Sequence, residues 1–444
     1  MPTSQERECH THASPESALL HDRPAIAAAV NAALRRQRIV DMHTHLYPAS
    51  FGECHTDSAG LMLWGIDELL TYHYLVAELF RVVRRNELTP EQFFAMPKAV
   101  QAELVWRKLF IDRSPISEAC RGVLTSLRAL GLDTADRDLE AYRRWFAEQS
   151  PDEQIDRVME LAGVETITMT NDVFDDNERA RWLRDRSSGS NPRFRPVLRV
   201  DPLVVGWPAA APRLGEWGYG HGIEEIRRFL CDWIEIMRPV YIALSLPPTF
   251  RYPSDAPGVR NLTGAIVPVC REAGLPLALM IGVERGVNPA LRQAGDMGFA
   301  ADVASVVRLA VDHPDQRLLV TMLSRENQHE LAVAARKCGN LVPFGCWWHL
   351  NTPSLVEEIT RMRFELLGMC FIPQHSDCRV LEQLIYKWDH SRAVLAKVLT
   401  DKYAELIATG WPLTVAEVGR DVAMLLRENY LAIVQARRQG GKSI

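Results

Sequence analysis

The chain has 444 residues, 47% of them hydrophobic, and a formal net charge of −5 at pH 7. This length suits one large α/β barrel or two to three smaller domains. The small net charge gives no reason to expect nucleic acid as a partner. The sequence has no run of 18 apolar residues, so we expect no membrane partner. Because the N-terminus lacks an apolar signal-peptide core and the nine cysteines form no CxxC pair, we expect a cytoplasmic protein with reduced thiols.

The sequence predicts a short tail followed by one domain over residues 23–444. Residues 1–22 are predicted to be a disordered tail, and a helix is expected over 24–36. A helical pattern rich in Trp, Tyr and Arg over about 64–150 predicts an insertion rather than a simple crossover. Further helices over about 380–436 are expected to close the domain or to build an oligomer contact, and we expect a homo-oligomer.

The first predicted strand carries a His-x-His pair. Arg38–Asp41 is predicted to be a short buried strand that Met42 continues, and His43 and His45 follow at spacing i, i+2. Alternate side chains of a strand share a face, so the two imidazoles can converge on one divalent metal ion. One core histidine and one surface histidine is the alternative interpretation.

Seven further apolar runs follow, most of them separated by helical patterns. Near-continuous apolar strands that alternate with helices indicate a parallel sheet buried on both faces. Eight such units predict a (β/α)8 TIM barrel with its active site at the carboxyl ends of the strands. The seven runs are Val164–Thr170, Phe194–Val200, Val240–Leu246, Leu275–Val283, Arg317–Leu323, Leu341–Trp347 and Leu367–Ile372.

Polar residues stand directly after these runs, where burial without a purpose would be costly. Asp377 follows the last run and can complete a three-ligand site with His43 and His45. Three ligands with an open fourth position are typical of a catalytic metal site. A helix N-cap is the alternative role for Asp377. A His-x-His on the first strand and an Asp on the last resemble the amidohydrolase superfamily.

Six ordered motifs then resemble one family of that superfamily, the uronate isomerases, from about residue 38 to 430. The resemblance is strongest to the divergent, bacillus-type branch, whose fifth strand also carries Met-Ile-Gly. The motifs are Asp-Met-His-Thr-His at 41–45, Thr-Tyr-His-Tyr at 71–74, Leu-Arg-Val-Asp-Pro at 198–202, Leu-Ser-Arg-Glu-Asn at 323–327, Phe-Gly-Cys-Trp-Trp at 344–348 and Asp-Cys-Arg at 377–379.

The resemblance implies one divalent metal ion, with zinc as the natural candidate for two histidines and a carboxylate. The better-known branch has a histidine at the end of strand five, where this chain has Met280. A thioether is a poor ligand for such an ion. Dinuclear relatives also need ligands near the positions of Ser245 and Ser324, so a two-metal hydrolase is not expected.

The resemblance also implies a reaction, which moves a carbonyl between C1 and C2 of a sugar acid. D-glucuronate would be interconverted with D-fructuronate, and D-galacturonate with D-tagaturonate, by proton transfer through a cis-enediol. The small-molecule partner is thus a uronate. A mononuclear hydrolase or lyase acting on a sugar acid is the alternative, and a non-catalytic sugar-acid binder is a third hypothesis.

The same resemblance assigns roles to residues beyond the three metal ligands. Arginine forks suit a carboxylate or an enediolate, although structural ion pairs are the alternative. The aromatic residues can stack on the sugar or pack the barrel. The catalytic candidates are Asp377, His73, Tyr74 and Arg379, and the substrate-binding candidates are Arg199, Arg325, Trp347 and Trp348.

Overall fold

The computed structural model describes residues 17–53 and 60–435. Of the predicted disordered tail, residues 1–16 lie outside the described part, whereas residues 17–22 are packed. Leu19 forms an antiparallel bridge with Thr414, and the Leu20 N–H donates to the Leu413 carbonyl over 2.8 Å. This end of the predicted tail is therefore held against the C-terminal helices. Within the described ranges, no helix is both long and apolar enough to cross a membrane.

Nine strands of the described residues form two sheets. Seven of them pair in parallel in the order β1-β2-β3-β4-β5-β8-β9, while β6 and β7 form an antiparallel hairpin. The long parallel sheet curls around an apolar interior. The strands are β1 (Ile39–Thr44), β2 (Val164–Asp172), β3 (Phe194–Arg199), β4 (Ile242–Leu246), β5 (Leu277–Ile281), β6 (Val283–Glu284), β7 (Met297–Gly298), β8 (Leu318–Met322) and β9 (Leu341–Pro343).

The helices pack around this sheet, and α2 to α7 occupy the stretch that was predicted as a helical insertion. Three π-helical turns, at Arg107–Ile111, Leu262–Ile266 and Met424–Glu428, follow α5, α12 and α18. The helices are α1 (Arg23–Arg36), α2 (Ile66–Leu70), α3 (His73–Val82), α4 (Pro90–Ala95), α5 (Lys98–Trp106), α6 (Glu118–Ala129), α7 (Leu139–Ala147), α8 (Pro151–Ala162), α9 (Asp176–Arg184), α10 (Trp207–Glu216), α11 (Ile223–Met237), α12 (Pro257–Asn261), α13 (Val267–Glu272), α14 (Val303–Asp312), α15 (Gln328–Lys337), α16 (Pro353–Leu367), α17 (Gln383–Ile407), α18 (Val415–Ala423) and α19 (Asn429–Gln435).

The prediction of a regular eighth strand at Leu367–Ile372 is wrong. Helix α16 continues to Leu367 and ends at Gly368, whose positive φ of 59° favours glycine. Only Ile372 forms a parallel bridge, with Phe344 beside β9. The fold is thus an α/β barrel-like arrangement with seven regular parallel strands in its main sheet.

The extended chain after Ile372 nevertheless reaches β1. The Asp377 N–H donates to the His43 carbonyl over 3.1 Å, and the His45 N–H donates to the Cys378 carbonyl over 2.7 Å. The chain adjoining the last predicted strand is therefore held against the carboxyl end of the first.

Helix α19 covers the other end of the sheet. Tyr430, Leu431 and Val434 belong to the apolar cluster that fills the barrel interior. The Tyr430 hydroxyl also lies 3.1 Å from the Thr168 hydroxyl on β2. The amino ends of the strands are thus packed shut, which leaves the carboxyl ends for the site.

Candidate metal centre and substrate cavity

Three predicted ligands meet at the carboxyl end of the sheet. Asp377 Oδ1 lies 3.6 Å from His43 Nε2 and 3.6 Å from His45 Nε2, and the three ligand atoms lie within 4.8 Å of one another. Asp377 has a φ of 53°, in the left-handed region that Asp tolerates better than most residues. This local turn places the carboxylate opposite the two imidazoles.

The far side of the His43 ring is held by hydroxyl groups. His43 Nδ1 lies 3.1 Å from the Thr170 hydroxyl and 3.3 Å from the Tyr241 hydroxyl. Tyr241 donates its own hydrogen to the Met42 carbonyl over 2.8 Å, so its oxygen is free to accept from Nδ1–H. With the hydrogen on Nδ1, the Nε2 lone pair faces Asp377, as a metal ligand requires.

Two atoms of this cluster are buried without a hydrogen-bond partner among the described residues. They are His43 Nε2 and Asp377 Oδ1, and leaving them unsatisfied would be costly. Burial lowers the pKa of His43 to about 3 and raises the pKa of Asp377. Neutral imidazoles with a carboxylate are a ligand set for a divalent ion such as zinc. The residues therefore fit a metal.

A cavity of about 720 Å³, including space open to solvent, adjoins the three ligands. It holds five of the predicted site residues besides the ligands: His73, Arg199, Trp347, Trp348 and Arg379. Its remaining lining residues are Tyr72, Thr170, Ala243, Leu244, Ser245, Met280, Val283, Arg285, Gln293 and Asp296. Met280 thus borders the cavity where the better-known branch has a histidine.

Arg199 and Arg379 both line the cavity, and in the described part of the chain each guanidinium group has one hydrogen-bond partner. Arg199 Nε donates to Asp201 Oδ2 over 2.6 Å, and this pairing raises the arginine pKa despite burial. Asp201 in turn accepts from the Ser245 N–H over 2.6 Å. Arg379 Nη1 donates to Gln293 Oε1. Both guanidinium groups are thus anchored beside the centre with further donors available to an anion.

Arg325 lies elsewhere. It begins a 3-10 turn after β8, and its Nη2 lies 3.0 Å from Glu358 on α16. Its side chain is 58% exposed, and it is not among the residues that line the cavity. The predicted substrate contact of Arg325 is therefore absent from this arrangement, because the turn directs the side chain toward the outer helix.

The aromatic candidates divide in a similar way. His73, Trp347 and Trp348 line the cavity, whereas Tyr74 lines a neighbouring pocket behind it. The Tyr74 ring lies 4.5 Å from the ring of His73, and burial raises its pKa well above the usual value. The His349 ring lies 5.4 Å from the Tyr74 ring. Tyr74 thus contacts the cavity wall rather than the open space.

Four polar cavity residues outside the predicted strand runs were missed from the sequence: Tyr72, Arg285, Gln293 and Asp296. Tyr72 is part of the Thr-Tyr-His-Tyr motif, so a signal for it was present. The other three belong to the loop between β5 and α14, in which Arg285 Nη1 lies 2.6 Å from Asp296 Oδ2. Arg285 directly follows β6 and Asp296 directly precedes β7, but the sequence predicted no hairpin here, and only its folding over the cavity brings these residues in.

The curled parallel sheet and the His–His–Asp group at its carboxyl end define an α/β barrel-like protein with a candidate metal site. The chain matches no family model and no curated protein. Among solved structures, the uronate isomerase from Bacillus halodurans C-125 is 50% identical, with a TM-score of 0.89, over 94% of this chain and 97% of that one. The chain therefore belongs to the uronate isomerase family and is an isomerase, as predicted.

Two more distant structures support the fold alone. A uronate isomerase from Thermotoga maritima is 16% identical, with a TM-score of 0.72, over 92% of this chain and 97% of that one. A glucuronate isomerase from Caulobacter crescentus is 15% identical, with a TM-score of 0.70, over 95% of this chain and 96% of that one.

Proposed function

We propose that the protein interconverts D-glucuronate with D-fructuronate and D-galacturonate with D-tagaturonate. The observation that carries the proposal is one cavity that holds His43, His45 and Asp377 together with Arg199 and Arg379. A uronate has a carboxylate for an arginine fork and vicinal oxygens for the centre. Membership of the uronate isomerase family supports the same substrate class.

We infer that His43, His45 and Asp377 hold one divalent metal ion, and that the ion is zinc. When bound, such an ion polarises substrate oxygens and stabilises negative charge that develops on them. The buried, unpartnered atoms of His43 and Asp377 support this assignment, and so does the neutral state that burial imposes on His43.

The chain's own residues supply the proton steps. We assign removal of the C2 proton to the Asp377 carboxylate, which borders the cavity beside the two histidines. The resulting cis-enediolate carries negative charge on oxygen, which Arg199 and Arg379 would stabilise, and the protonated Asp377 would return the proton to C1. His73 faces the cavity and would assist opening of the sugar ring, with Tyr74 acting through contact with the His73 ring.

We further propose that the extended segment leading to Asp377 takes the place of an eighth strand and closes a single (β/α)8 barrel domain. The hydrogen bonds from residues 377 and 378 to β1 support closure. We also propose a homo-oligomer that acts in the cytoplasm on small-molecule uronates. An apolar groove between α14 and α15, with Val311 58% exposed, supports the oligomer.

The test is to incubate the purified protein with each uronate and to follow formation of the ketouronate. Parallel samples would be treated with a chelator, and half of them would receive zinc or manganese again. We expect turnover that the chelator removes and a metal restores, with about one equivalent of metal bound. No turnover of either uronate with metal present would overturn the proposal. Two tightly held ions per chain would instead favour a hydrolase.

A further inference from the structure

A hydrogen bond joins two cavity residues that lie far apart in the sequence. The Trp348 indole N–H donates to His73 Nε2 over 3.0 Å, across 275 positions of the chain. The two rings meet nearly edge to face, with centroids 6.0 Å apart and an interplanar angle of 74°. The indole nitrogen thus points at the imidazole rather than toward the sugar-binding space.

Trp348 is held in an unusual conformation to make this contact. Its φ is 52°, in the left-handed region that a bulky side chain rarely adopts. The side chain is buried, and its ring stacks on His349 at 4.7 Å with an interplanar angle of 23°. Strained positions that the surrounding structure maintains cluster at functional sites, so the strain and the hydrogen bond point to the same residue.

The direction of the bond decides where the His73 hydrogen lies. Burial and the nearby charge of Arg379 lower the pKa of His73 well below its usual value, so the ring is neutral. A neutral imidazole carries one N–H. Because Nε2 accepts from the indole, the hydrogen must be on Nδ1. Among the described residues, Nδ1 has no hydrogen-bond partner.

We propose that Trp348 is a positioning residue that holds His73 in the Nδ1–H tautomer. His73 then offers the substrate an N–H donor and has no free basic nitrogen. In the proposed isomerase reaction, on which this consequence rests, His73 donates a hydrogen bond to a sugar oxygen during ring opening. Removal of the C2 proton is left to another group. Trp347, the neighbouring indole in the cavity, remains available to contact the sugar.

The tautomer can be observed without any substrate, by nitrogen NMR on protein with 15N-labelled histidine. The His73 signals are those that disappear in His73→Gln. In the wild type we expect the protonated nitrogen to be Nδ1, and in Trp348→Phe we expect a mixture of the two tautomers. Trp347→Phe is the matched control, because it removes an indole from the same cavity without touching this bond. An Nε2–H tautomer in the wild type, or an unchanged spectrum in Trp348→Phe, would overturn the proposal.

A double-mutant cycle on turnover tests the functional part. Loss of one hydrogen bond predicts that Trp348→Phe lowers kcat by about tenfold, with a smaller change in KM. In the His73→Gln background the same substitution should have little further effect, because it acts through His73. Equal losses of kcat in the wild-type and His73→Gln backgrounds would overturn the proposal. A protein without uronate turnover would fail the proposed function, while the wild-type NMR result would still decide the tautomer.

Discussion

The two ends of the barrel differ in whether the buried polar groups named below have hydrogen-bond partners. At the amino ends of the strands, the Tyr430 hydroxyl from α19 meets the Thr168 hydroxyl, and apolar side chains fill the remaining space. At the carboxyl ends, His43 Nε2, Asp377 Oδ1 and both ring nitrogens of His375 are buried without a partner in the described part of the chain. Unsatisfied polar groups destabilise a fold, and a bound metal ion would satisfy His43 Nε2 and Asp377 Oδ1.

The strongest test of this contrast is Asp377→Asn. We expect turnover to fall by at least about 10³-fold, because the variant would lose both a proposed metal ligand and the proposed base. The free energy of unfolding in the absence of metal should not fall, since a buried carboxylate oxygen without a partner becomes neutral. Product formation and urea unfolding measure the two effects.

Asp421→Asn is the matched control for that experiment. Asp421 lies on α18 and accepts from the Tyr403 hydroxyl over 2.9 Å, far from the cavity. We expect lower stability and unchanged turnover. If Asp377→Asn instead unfolds the protein while Asp421→Asn does not, Asp377 has a structural role.

Next in size is the effect of replacing an anchored arginine fork. Arg379→Lys keeps the charge but loses the paired donors, so we expect kcat/KM to fall roughly 100-fold. Arg325→Lys, outside the cavity and paired with Glu358, should remain close to the wild type. Steady-state kinetics on both variants measure the difference. Equal losses of kcat/KM in the two variants would show that Arg325 also contributes to the site.

Gly345→Ala tests the close packing at the carboxyl end. A Cβ there would lie 1.7 Å from His375 Nδ1, and Gly345 has a φ of 60°. We expect the free energy of unfolding to fall by about 1–3 kcal/mol beyond the cost of the backbone conformation. Gly410→Ala isolates that backbone cost, because its φ is 87° and no atom lies within 4 Å of the added carbon. Urea unfolding that gives the same loss for both variants would contradict a clash.

The smallest effect is expected at the closed end. Tyr430→Phe removes the hydrogen bond to Thr168 and should lower the free energy of unfolding by about 1 kcal/mol, with kcat unchanged. Thermal melting and the turnover assay check the two parts. A clear loss of turnover in this variant would show that the two ends are coupled.

Much of the metal centre was accessible from sequence, because its residues follow strands. His43 and His45 lie on and after a strand whose apolar pattern was visible, and Asp377 was found as the carboxylate that follows the last apolar run. The eighth strand was predicted wrongly because the apolar pattern of Leu367–Ile372 is compatible with either a strand or the end of a helix. A buried helix end and a buried strand look alike over a few residues.

The rest of the cavity depends on contacts that no local pattern records. Gln293 and Arg285 lie in a loop between β5 and α14, and their place depends on how that loop folds back over Arg379. Arg325 follows a strand as Arg199 and Arg379 do, yet its turn aims the side chain at Glu358. Position after a strand does not determine side-chain direction, which depends on the neighbours available.

By itself, the sequence determined the alternating strand and helix order, the His-x-His pair and the motifs that resemble the uronate isomerases. These follow from short-range spacing, which a chain carries whatever its tertiary structure. Only the tertiary structure decided that Asp377 reaches both histidines, that Arg325 stays outside and that the Trp348 indole points at His73. Each of these is a contact between residues far apart in sequence, and its geometry is set by packing.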